Sequence, residues 1–355
     1  MAEPVYLDYN ATTPVAPEVL DAMLPYLREH FGNPSSSHAF GKRAADAIER
    51  ARDQVAALIG ARPAEIVFTG NATEANNLAL LGAASGLPRT KRHLVISAVE
   101  HPAVVAPAMR LSHEGWSVTV LPVDESGRVR ADELAGALRP DTALVSVMHA
   151  NNEVGTIQPI AHISMHTRAR GVLLHTDAAQ SIGKTSVQVD ALGIDLLTLA
   201  GHKFYAPKGV GALYVRTGTP VHAVIFGAEQ EHGLRPGTEN VAAIVGLGAA
   251  AVLAGEYASL GNELRTLRDA LHARLAAAIP DLVLNGHPEH RLPNTLHVSF
   301  PGVSGRELLH EARHVVAASV GSACHSERDT VSGVLAAMAP TQRARPELCG
   351  FRSVG

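Results

Sequence analysis

At the centre of the sequence runs Asp195-Leu-Leu-Thr-Leu-Ala-Gly-His-Lys203-Phe-Tyr-Ala-Pro-Lys-Gly-Val-Gly-Ala-Leu-Tyr-Val215. Its apolar ends predict two short buried strands, residues 195–199 and 211–215, and the glycines and proline between them predict a tight turn. A lysine that such a turn holds inward can lose its proton by desolvation and attack a carbonyl, forming a Schiff base. Taken alone, Lys203 fits a solvated surface loop better than a catalytic site. Its interpretation therefore depends on the residues around it.

The composition limits the class of protein. The chain has 355 residues, 46% hydrophobic and 18% charged, with a formal net charge of −4, which is typical of a soluble protein with a large core. No run of Lys or Arg forms a basic stripe, which argues against nucleic-acid binding. The first residues lack the features of a signal peptide, and the longest apolar run, residues 241–254, is too short to cross a bilayer. We therefore expect a cytoplasmic protein without a membrane segment.

Cysteines are too few to organise the fold. The sequence has two, Cys324 and Cys349, so we expect neither a disulfide framework nor a metal site built on cysteine. Cys324 follows Gly321-Ser-Ala in a small-residue loop that could deliver a thiolate, although a lone cysteine is often a small buried hydrophobic residue. Cys349 has no comparable context.

Strand-like and helix-like segments alternate through the first two thirds of the chain. Strands are predicted at residues 65–69, 93–97, 117–122, 144–148 and 171–175, and helices at residues 17–26, 42–59, 75–82 and 132–138. The alternation predicts an α/β fold with a mostly parallel sheet covered by helices on both faces. Active residues in such folds gather beyond the carboxyl ends of the strands.

Beyond residue 240 the sequence predicts a smaller α/β domain. Its first helices are followed by a strand, a helix and a further strand that leads to Cys324. Four leucines of the second helix have core spacing: Leu264, Leu267, Leu271 and Leu275. We therefore divide the chain into a large domain, residues 16–245, and a small domain, residues 1–15 and 246–355.

Two polar turns follow predicted strands. Gly70-Asn-Ala-Thr-Glu74 joins a strand to a helix, where backbone N–H groups and the positive helix end suit a phosphate; a turn capped by Thr73 and Glu74 is the simpler alternative. Asp177 directly follows a strand and is poorly solvated, so it needs a donor or a cation as partner. A pyridinium N–H would be such a partner, and capping of a following helix is the alternative.

Eight segments carry a family resemblance in their order and spacing: Leu7-Asp-Tyr-Asn-Ala-Thr-Thr-Pro14, Gly32-Asn-Pro-Ser-Ser36, Glu100-His101, Asn151-Asn-Glu153, His175-Thr-Asp-Ala-Ala-Gln180, Gly201-His-Lys-Phe-Tyr205, Arg235-Pro-Gly-Thr-Glu-Asn240 and Ser322-Ala-Cys-His-Ser326. With them the chain resembles the class V, fold-type I pyridoxal-phosphate enzymes, specifically the cysteine desulfurase and selenocysteine lyase group. The resemblance implies a fold-type I α/β architecture and a homodimer.

The resemblance also implies roles for individual residues. Lys203 would hold pyridoxal 5'-phosphate and move the proton between the substrate Cα and the cofactor. Asp177 would pair with the ring nitrogen, Gln180 would hydrogen-bond the ring hydroxyl, and His101 would stack on the ring and carry protons. The remaining cofactor contacts would be Ala72, Thr73, Asn152, Ala200, Gly201, His202 and, from the partner chain, Thr238. Ala200 stands where many members have a serine that binds the phosphate.

By the same resemblance, Cys324 would take sulfur from L-cysteine as a persulfide, leave L-alanine, and pass the sulfur to an acceptor protein for iron-sulfur cluster or thio-cofactor synthesis. Selenocysteine lyase is the alternative within this chemistry. Asn152 would also touch the substrate.

The C-terminal segment departs from the family pattern, and we expect a truncated or altered small domain. The family's arginine for the substrate carboxylate falls there; Arg352 is the nearest candidate, one position out of register, and Arg343 and Arg345 are poorer ones. A folded but inactive homologue that serves as a partner is therefore the alternative from a different class.

Overall fold

A central seven-stranded sheet dominates the computed structural model, which describes residues 3–256, 260–321, 332–339 and 351–354. In chain order the strands are β1 (Val5–Tyr6), β2 (Ile66–Thr69), β3 (His93–Ser97), β4 (Ser117–Leu121), β5 (Thr142–Ser146), β6 (Leu173–Asp177), β7 (Leu196–Ala200), β8 (Gly211–Val215), β9 (Val283–Leu284), β10 (Val298–Pro301), β11 (Val316–Ala317) and β12 (Phe351–Val354). The α-helices are α1 (Pro17–Arg28), α2 (Ala39–Ile59), α3 (Ala72–Asn77), α4 (Ala83–Gly86), α5 (Pro102–His113), α6 (Ala131–Ala137), α7 (Ile160–Arg168), α8 (Val189–Leu192), α9 (Val241–Glu256), α10 (Gly261–Ala278), α11 (Gly305–Ala312) and α12 (Gly333–Met338).

The strand directions place one set of loops together. The order in the central sheet is β2-β8-β7-β6-β5-β3-β4. Strands β3 to β7 are mutually parallel, and β8 runs antiparallel to both of its neighbours, β7 and β2. Strand β2 therefore points the same way as β7, and only β8 is reversed. The predicted mostly parallel sheet is confirmed, and the carboxyl ends of β2, β3, β5, β6 and β7 share one edge.

Alternate residues of the buried strands supply two cores. Leu197 and Leu199 of β7 face a core shared with α1, α2, α7 and α9, whereas Leu196 faces a second core shared with α3 and α5. Because side chains alternate across a strand, a continuous apolar run fills both faces of a sheet that helices cover on both sides. This explains why the strands are apolar throughout rather than at every second position.

Smaller sheets lie beyond the large one. Strand β1 pairs in parallel with β11, and β10 pairs antiparallel with β9 and β12. Helix α9 packs against α1 and α2, with core residues as far as Ala254, past the boundary predicted at residue 245; the domain limits stay a prediction. No single helix in the described ranges has the length and apolar character to cross a membrane, and only the bent pair of α9 and α10 meets those measures jointly.

One core prediction in α10 is wrong. Leu264, Leu267 and Leu271 are exposed, and the helix buries Arg268 instead, whose Nη1 donates to Leu292 O at 2.7 Å. Core spacing identifies an apolar face but does not determine which element covers it.

Candidate active site

The shared sheet edge carries most of the residues singled out by sequence. Ala72 and Thr73 follow β2, His101 follows β3, Asn152 follows β5, Asp177 and Gln180 end and follow β6, and Ala200 to Lys203 end and follow β7. Loops that are separated by up to 131 positions along the chain, from Ala72 to Lys203, thus meet at one edge, as parallel strands require.

Lys203 ends a 3₁₀ turn, Gly201–Lys203, directly after β7. Its Nζ donates to Asn10 O at 2.6 Å and to Ala11 O at 2.8 Å. The amine is therefore held over the N-terminal segment and is not extended into solvent. The next turn is strained, since Tyr205 has φ 68°, and the Thr13 hydroxyl accepts a hydrogen bond from Tyr205 N at 2.9 Å.

Asn10 joins three of the predicted site residues. Its carbonyl oxygen accepts from Lys203 Nζ and from Gln180 Nε2 at 2.9 Å, and its own Nδ2 donates to Asn152 O at 3.3 Å. The side chain also donates to Thr295 Oγ1 at 3.0 Å. Sequence reasoning assigned no role to Asn10, although the residue lies inside the Leu7–Pro14 motif; that motif was the available signal.

Asp177 is a buried carboxylate whose hydrogen-bond donors among the described residues are neutral. Its Oδ2 accepts from Asn76 Nδ2 at 2.7 Å, and its Oδ1 accepts from Ala179 N at 2.9 Å. Residues 179–184 form turns, so Asp177 does not cap a following helix. Within the described ranges, no Lys, Arg or His lies within salt-bridge distance of Asp177. A positively charged ring N–H would supply the cationic donor that Asp177 lacks among these residues.

A helix start approaches the end of β7. Asn71 caps α3 by accepting from Glu74 N at 2.8 Å, and the first helical bond runs from Ala75 N to Asn71 O. The N–H groups of Ala72 and Thr73 therefore precede the helical ladder, the arrangement that suits a phosphate. Gly211 permits this approach, because a Cβ there would lie 2.7 Å from Leu199 O and 3.1 Å from Ala72 N.

Two histidines at this edge have defined protonation. His101 caps α5, and its Nδ1 accepts from Ala103 N at 3.1 Å, so the neutral ring carries its proton on Nε2. Burial, and then the positive charges of nearby lysines, lower the pKa of His202 to about 4. His202 is therefore neutral at pH 7 and can donate from one ring nitrogen.

Glu100 is a buried carboxyl next to His101. Its Oε1 accepts from Ser97 Oγ at 2.5 Å and from Met148 N at 2.8 Å, while Oε2 has no hydrogen-bond partner among the described residues. Burial raises the pKa of Glu100 to about 8, against an ordinary value of 4.5. The group is therefore mostly protonated at neutral pH.

Glu100→Gln is expected to remove a pH dependence of stability. Between pH 4.5 and 8 the unfolded chain releases this proton and the folded chain keeps it, so the free energy of unfolding falls as the pH rises through this range. The variant lacks this loss, so its advantage over the unaltered protein should grow from pH 5 to pH 8 in urea unfolding. The exposed Glu29→Gln serves as control; a constant difference between the Glu100 variant and the unaltered protein would contradict the assignment.

The structure places the other predicted residues away from this network or leaves them undescribed. Thr238 is exposed, in the segment that follows a 3₁₀ turn at Glu231–Gly233. Arg352 lies in β12, opposite Phe300 of β10. Cys324, Cys349, Arg343 and Arg345 lie outside the described residues.

Comparison with known proteins gives a consistent result. The family model for class-V aminotransferases matches residues 5–344. The cysteine desulfurase IscS of Dictyoglomus turgidum is 48% identical over 340 residues, covering 95% of this chain and 86% of its own length. The human cysteine desulfurase is 46% identical, covering 94% of this chain and 74% of its own length.

Solved structures agree with the sequence matches. A NifS-like protein superimposes with a TM-score of 0.90 at 37% identity, covering 99% of this chain and 93% of its own. A structure described as SspA in complex with cysteine has a TM-score of 0.85 at 36% identity, covering 99% and 98%.

Proposed function

The chain belongs to the class-V aminotransferases and, within them, to the pyridoxal-phosphate-dependent cysteine desulfurases, and from this premise we propose that it takes sulfur from L-cysteine and leaves L-alanine at the edge around Lys203. The observation that carries the proposal is the convergence of Lys203, Gln180 and Asn152 on Asn10, beside a buried Asp177 with neutral donors. A lysine, an isolated carboxylate and a free helix start are the groups that this cofactor needs.

Bound pyridoxal phosphate supplies an electron sink for the charge left when the substrate Cα–H bond breaks. The chain's own residues do the rest. The Lys203 amine would hold the cofactor through its carbonyl carbon and would carry the Cα proton, and the Asp177 carboxylate would keep the ring nitrogen protonated. His101, with its proton on Nε2, would pack against the ring and carry protons.

The phosphate is held by neutral donors. The N–H groups of Ala72 and Thr73 and one ring N–H of His202 donate to it, and the positive end of the helix that begins at Ala72 favours its charge. Gly201 permits the close packing of this turn against Val210, because a Cβ there would lie 2.9 Å from Val210 O. Ala200 contributes no hydroxyl, so the bond that a serine makes in many relatives is missing.

Sulfur transfer follows at the substrate. Cys324, as a thiolate, would attack the sulfur of the bound substrate: an S–S bond forms and the substrate's Cβ–S bond breaks, with its electron pair left on the Cβ side. Protonation of Cβ gives the methyl group of alanine, Cys324 is left as a persulfide, and an acceptor protein then takes the outer sulfur. Asn152 would contact the substrate, and Arg352 would bind the carboxylate of the substrate. The acceptor serves iron-sulfur cluster or thio-cofactor synthesis.

A homodimer completes the site in this proposal. Phe31 and Phe226 are 77% and 88% exposed, and exposed aromatic side chains of this size favour an interface. Thr238 is exposed on its own chain and would contact the cofactor phosphate that the partner subunit binds.

The visible spectrum, recorded before and after addition of L-cysteine, tests the proposed function. We expect a visible absorbance band on loading with roughly one pyridoxal phosphate per chain, followed by stoichiometric alanine and a sulfide signal that Cys324→Ser removes. Turnover on L-selenocysteine alone would favour the lyase. A loaded protein that turns over neither amino acid would indicate an inactive homologue, and a protein that never binds the cofactor would contradict the proposal.

A further inference from the structure

A second lysine lies beside the proposed cofactor site and has no role in the chemistry described so far. Lys184 is partly buried in the turn that follows β6, and its Nζ donates to Gln180 Oε1 at 2.9 Å. Gly183, with φ 74°, bends this turn toward the Lys203 loop: a Cβ there would lie 3.1 Å from Phe204 Cβ. The turn therefore brings the two lysines into the same region of the sheet edge.

The two neighbours of Gln180 fix the orientation of its amide. Lys184 Nζ can only donate when protonated, and the carbonyl oxygen of Asn10 can only accept. Gln180 must therefore turn its Oε1 toward Lys184 and its Nε2 toward Asn10, as observed at 2.9 Å in both cases. If the amide were flipped, the N–H groups of Gln180 would face the Lys184 ammonium, and its oxygen would face the carbonyl oxygen of Asn10.

Asn10 alone would hold the amide less firmly. Its carbonyl oxygen also accepts from Lys203 Nζ at 2.6 Å, so the two lone pairs are shared between Lys203 and Gln180. Nε2 carries two N–H groups, and the bond to Asn10 uses one of them. The other is the group that can donate to an additional acceptor.

We infer that Lys184 is a positioning residue, which holds Gln180 Oε1 so that the amide presents an N–H, and not its oxygen, to the ring hydroxyl of bound pyridoxal phosphate. The inference rests on the proposed role of Gln180 at that hydroxyl. Burial, and then the positive charge of Lys203, lower the pKa of Lys184 to about 7. Below that pKa the ammonium can only donate and enforces the orientation of the amide, whereas the neutral amine also has an acceptor lone pair and enforces it less.

A double-mutant cycle tests the inference. The apparent dissociation constant of pyridoxal phosphate is measured by absorbance titration of the apoprotein for the unaltered chain, Lys184→Met, Gln180→Ala and the double variant. We expect Lys184→Met to weaken binding roughly fivefold in the unaltered background, the effect of one hydrogen bond, and to change it less than about twofold when Gln180 is already Ala. Lys184→Arg keeps a donor and should recover most of the affinity.

Spectra and fold controls accompany the titration. The maximum of the visible band should shift in Lys184→Met and not in Lys42→Met, a matched change at an exposed lysine of α2. Thermal unfolding of each apoprotein checks the fold, and Lys184→Leu, which also lacks a donor, gives the same comparison should the Met variant fail to fold.

The outcomes separate the inference from the proposed function. Equal loss of affinity in both backgrounds, or no loss in either, would mean that Lys184 does not act through Gln180 and would overturn the inference alone. An unaltered chain that binds no pyridoxal phosphate at all would contradict the proposed function and the inference together.

Discussion

Replacing Lys203 with Ala is expected to abolish the visible absorbance band and to reduce alanine formation from L-cysteine by at least roughly 10³-fold, since the variant loses both the group that holds the cofactor and the group that carries the Cα proton. The effect should be specific to this amine. The fold should persist, because the hydrogen bonds lost to described residues, those to the carbonyls of Asn10 and Ala11, are worth about 0.5–1.5 kcal/mol each.

A second lysine on the same loop provides the matched control. Lys208 is exposed, five positions beyond Lys203, so Lys208→Ala should keep the band and most of the turnover. Alanine is quantified per enzyme under saturating L-cysteine, and urea unfolding verifies that both variants fold. Substantial alanine formation by Lys203→Ala, measured with excess pyridoxal phosphate, would move the chemistry to another residue.

The sequence was sufficient to predict which residues meet at the sheet edge. The apolar strands before Asp177 and Lys203 are distinctive because both faces of the sheet are buried, and parallel strands bring their carboxyl ends together whatever the separation along the chain. The prediction followed from local patterns and one topological rule. The resemblance then supplied the chemistry.

The partners of those residues could not be predicted in the same way. Asn10 contacts Lys203 across 193 positions, and Asn76 contacts Asp177 across 101. No periodicity links such pairs, because each bond depends on how two separate elements dock. The exposed leucines of α10 show the same limit: a sequence pattern specifies an apolar face and leaves its covering undetermined.

A buried ion pair, also invisible in the sequence, holds the segment that leads to Thr238. Arg52 of α2 makes two hydrogen bonds of 2.8 Å to the Glu231 carboxylate, and both side chains are buried. Arg52 Nη1 also donates to Ile66 O, and Glu231 Oε2 also accepts from Phe68 N at 2.7 Å. The pair therefore connects α2, β2 and the 3₁₀ turn at one point.

The backbone of that turn needs such an anchor. Glu231 and His232 have φ values of 48° and 60°, in the left-handed region that side chains other than glycine rarely adopt. Each such residue costs about 1–3 kcal/mol unless the surroundings enforce it. A second link, from Arg235 Nε to Glu74 Oε1 at 2.8 Å, joins the same segment to the helix start at the proposed phosphate site. Loss of the ion pair should therefore affect both stability and the region around Thr238.

Arg52→Met is expected to lower the free energy of unfolding by about 3–5 kcal/mol, because it leaves the Glu231 carboxylate buried without its cation. Glu231→Leu should cost a similar amount or somewhat less, since the buried Arg52 guanidinium then keeps, as an ion-pair partner among the described residues, only the exposed Glu49 carboxylate, 3.1 Å from its Nε. The double variant Arg52→Met/Glu231→Leu should lose much less than the sum of the two, because neither charge then remains buried. Urea unfolding of all four proteins measures the coupling.

An exposed ion pair provides the comparison that isolates burial. Arg110 Nε lies 2.6 Å from Glu114 Oε1, but both side chains face solvent, so Arg110→Met should cost less than about 1 kcal/mol. If Arg52→Met costs no more than Arg110→Met, or if the two buried substitutions add without coupling, the anchoring role of Arg52 and Glu231 is wrong. If the coupling is large, the strained turn before Thr238 owes its conformation to two charges that lie 179 positions apart in the sequence.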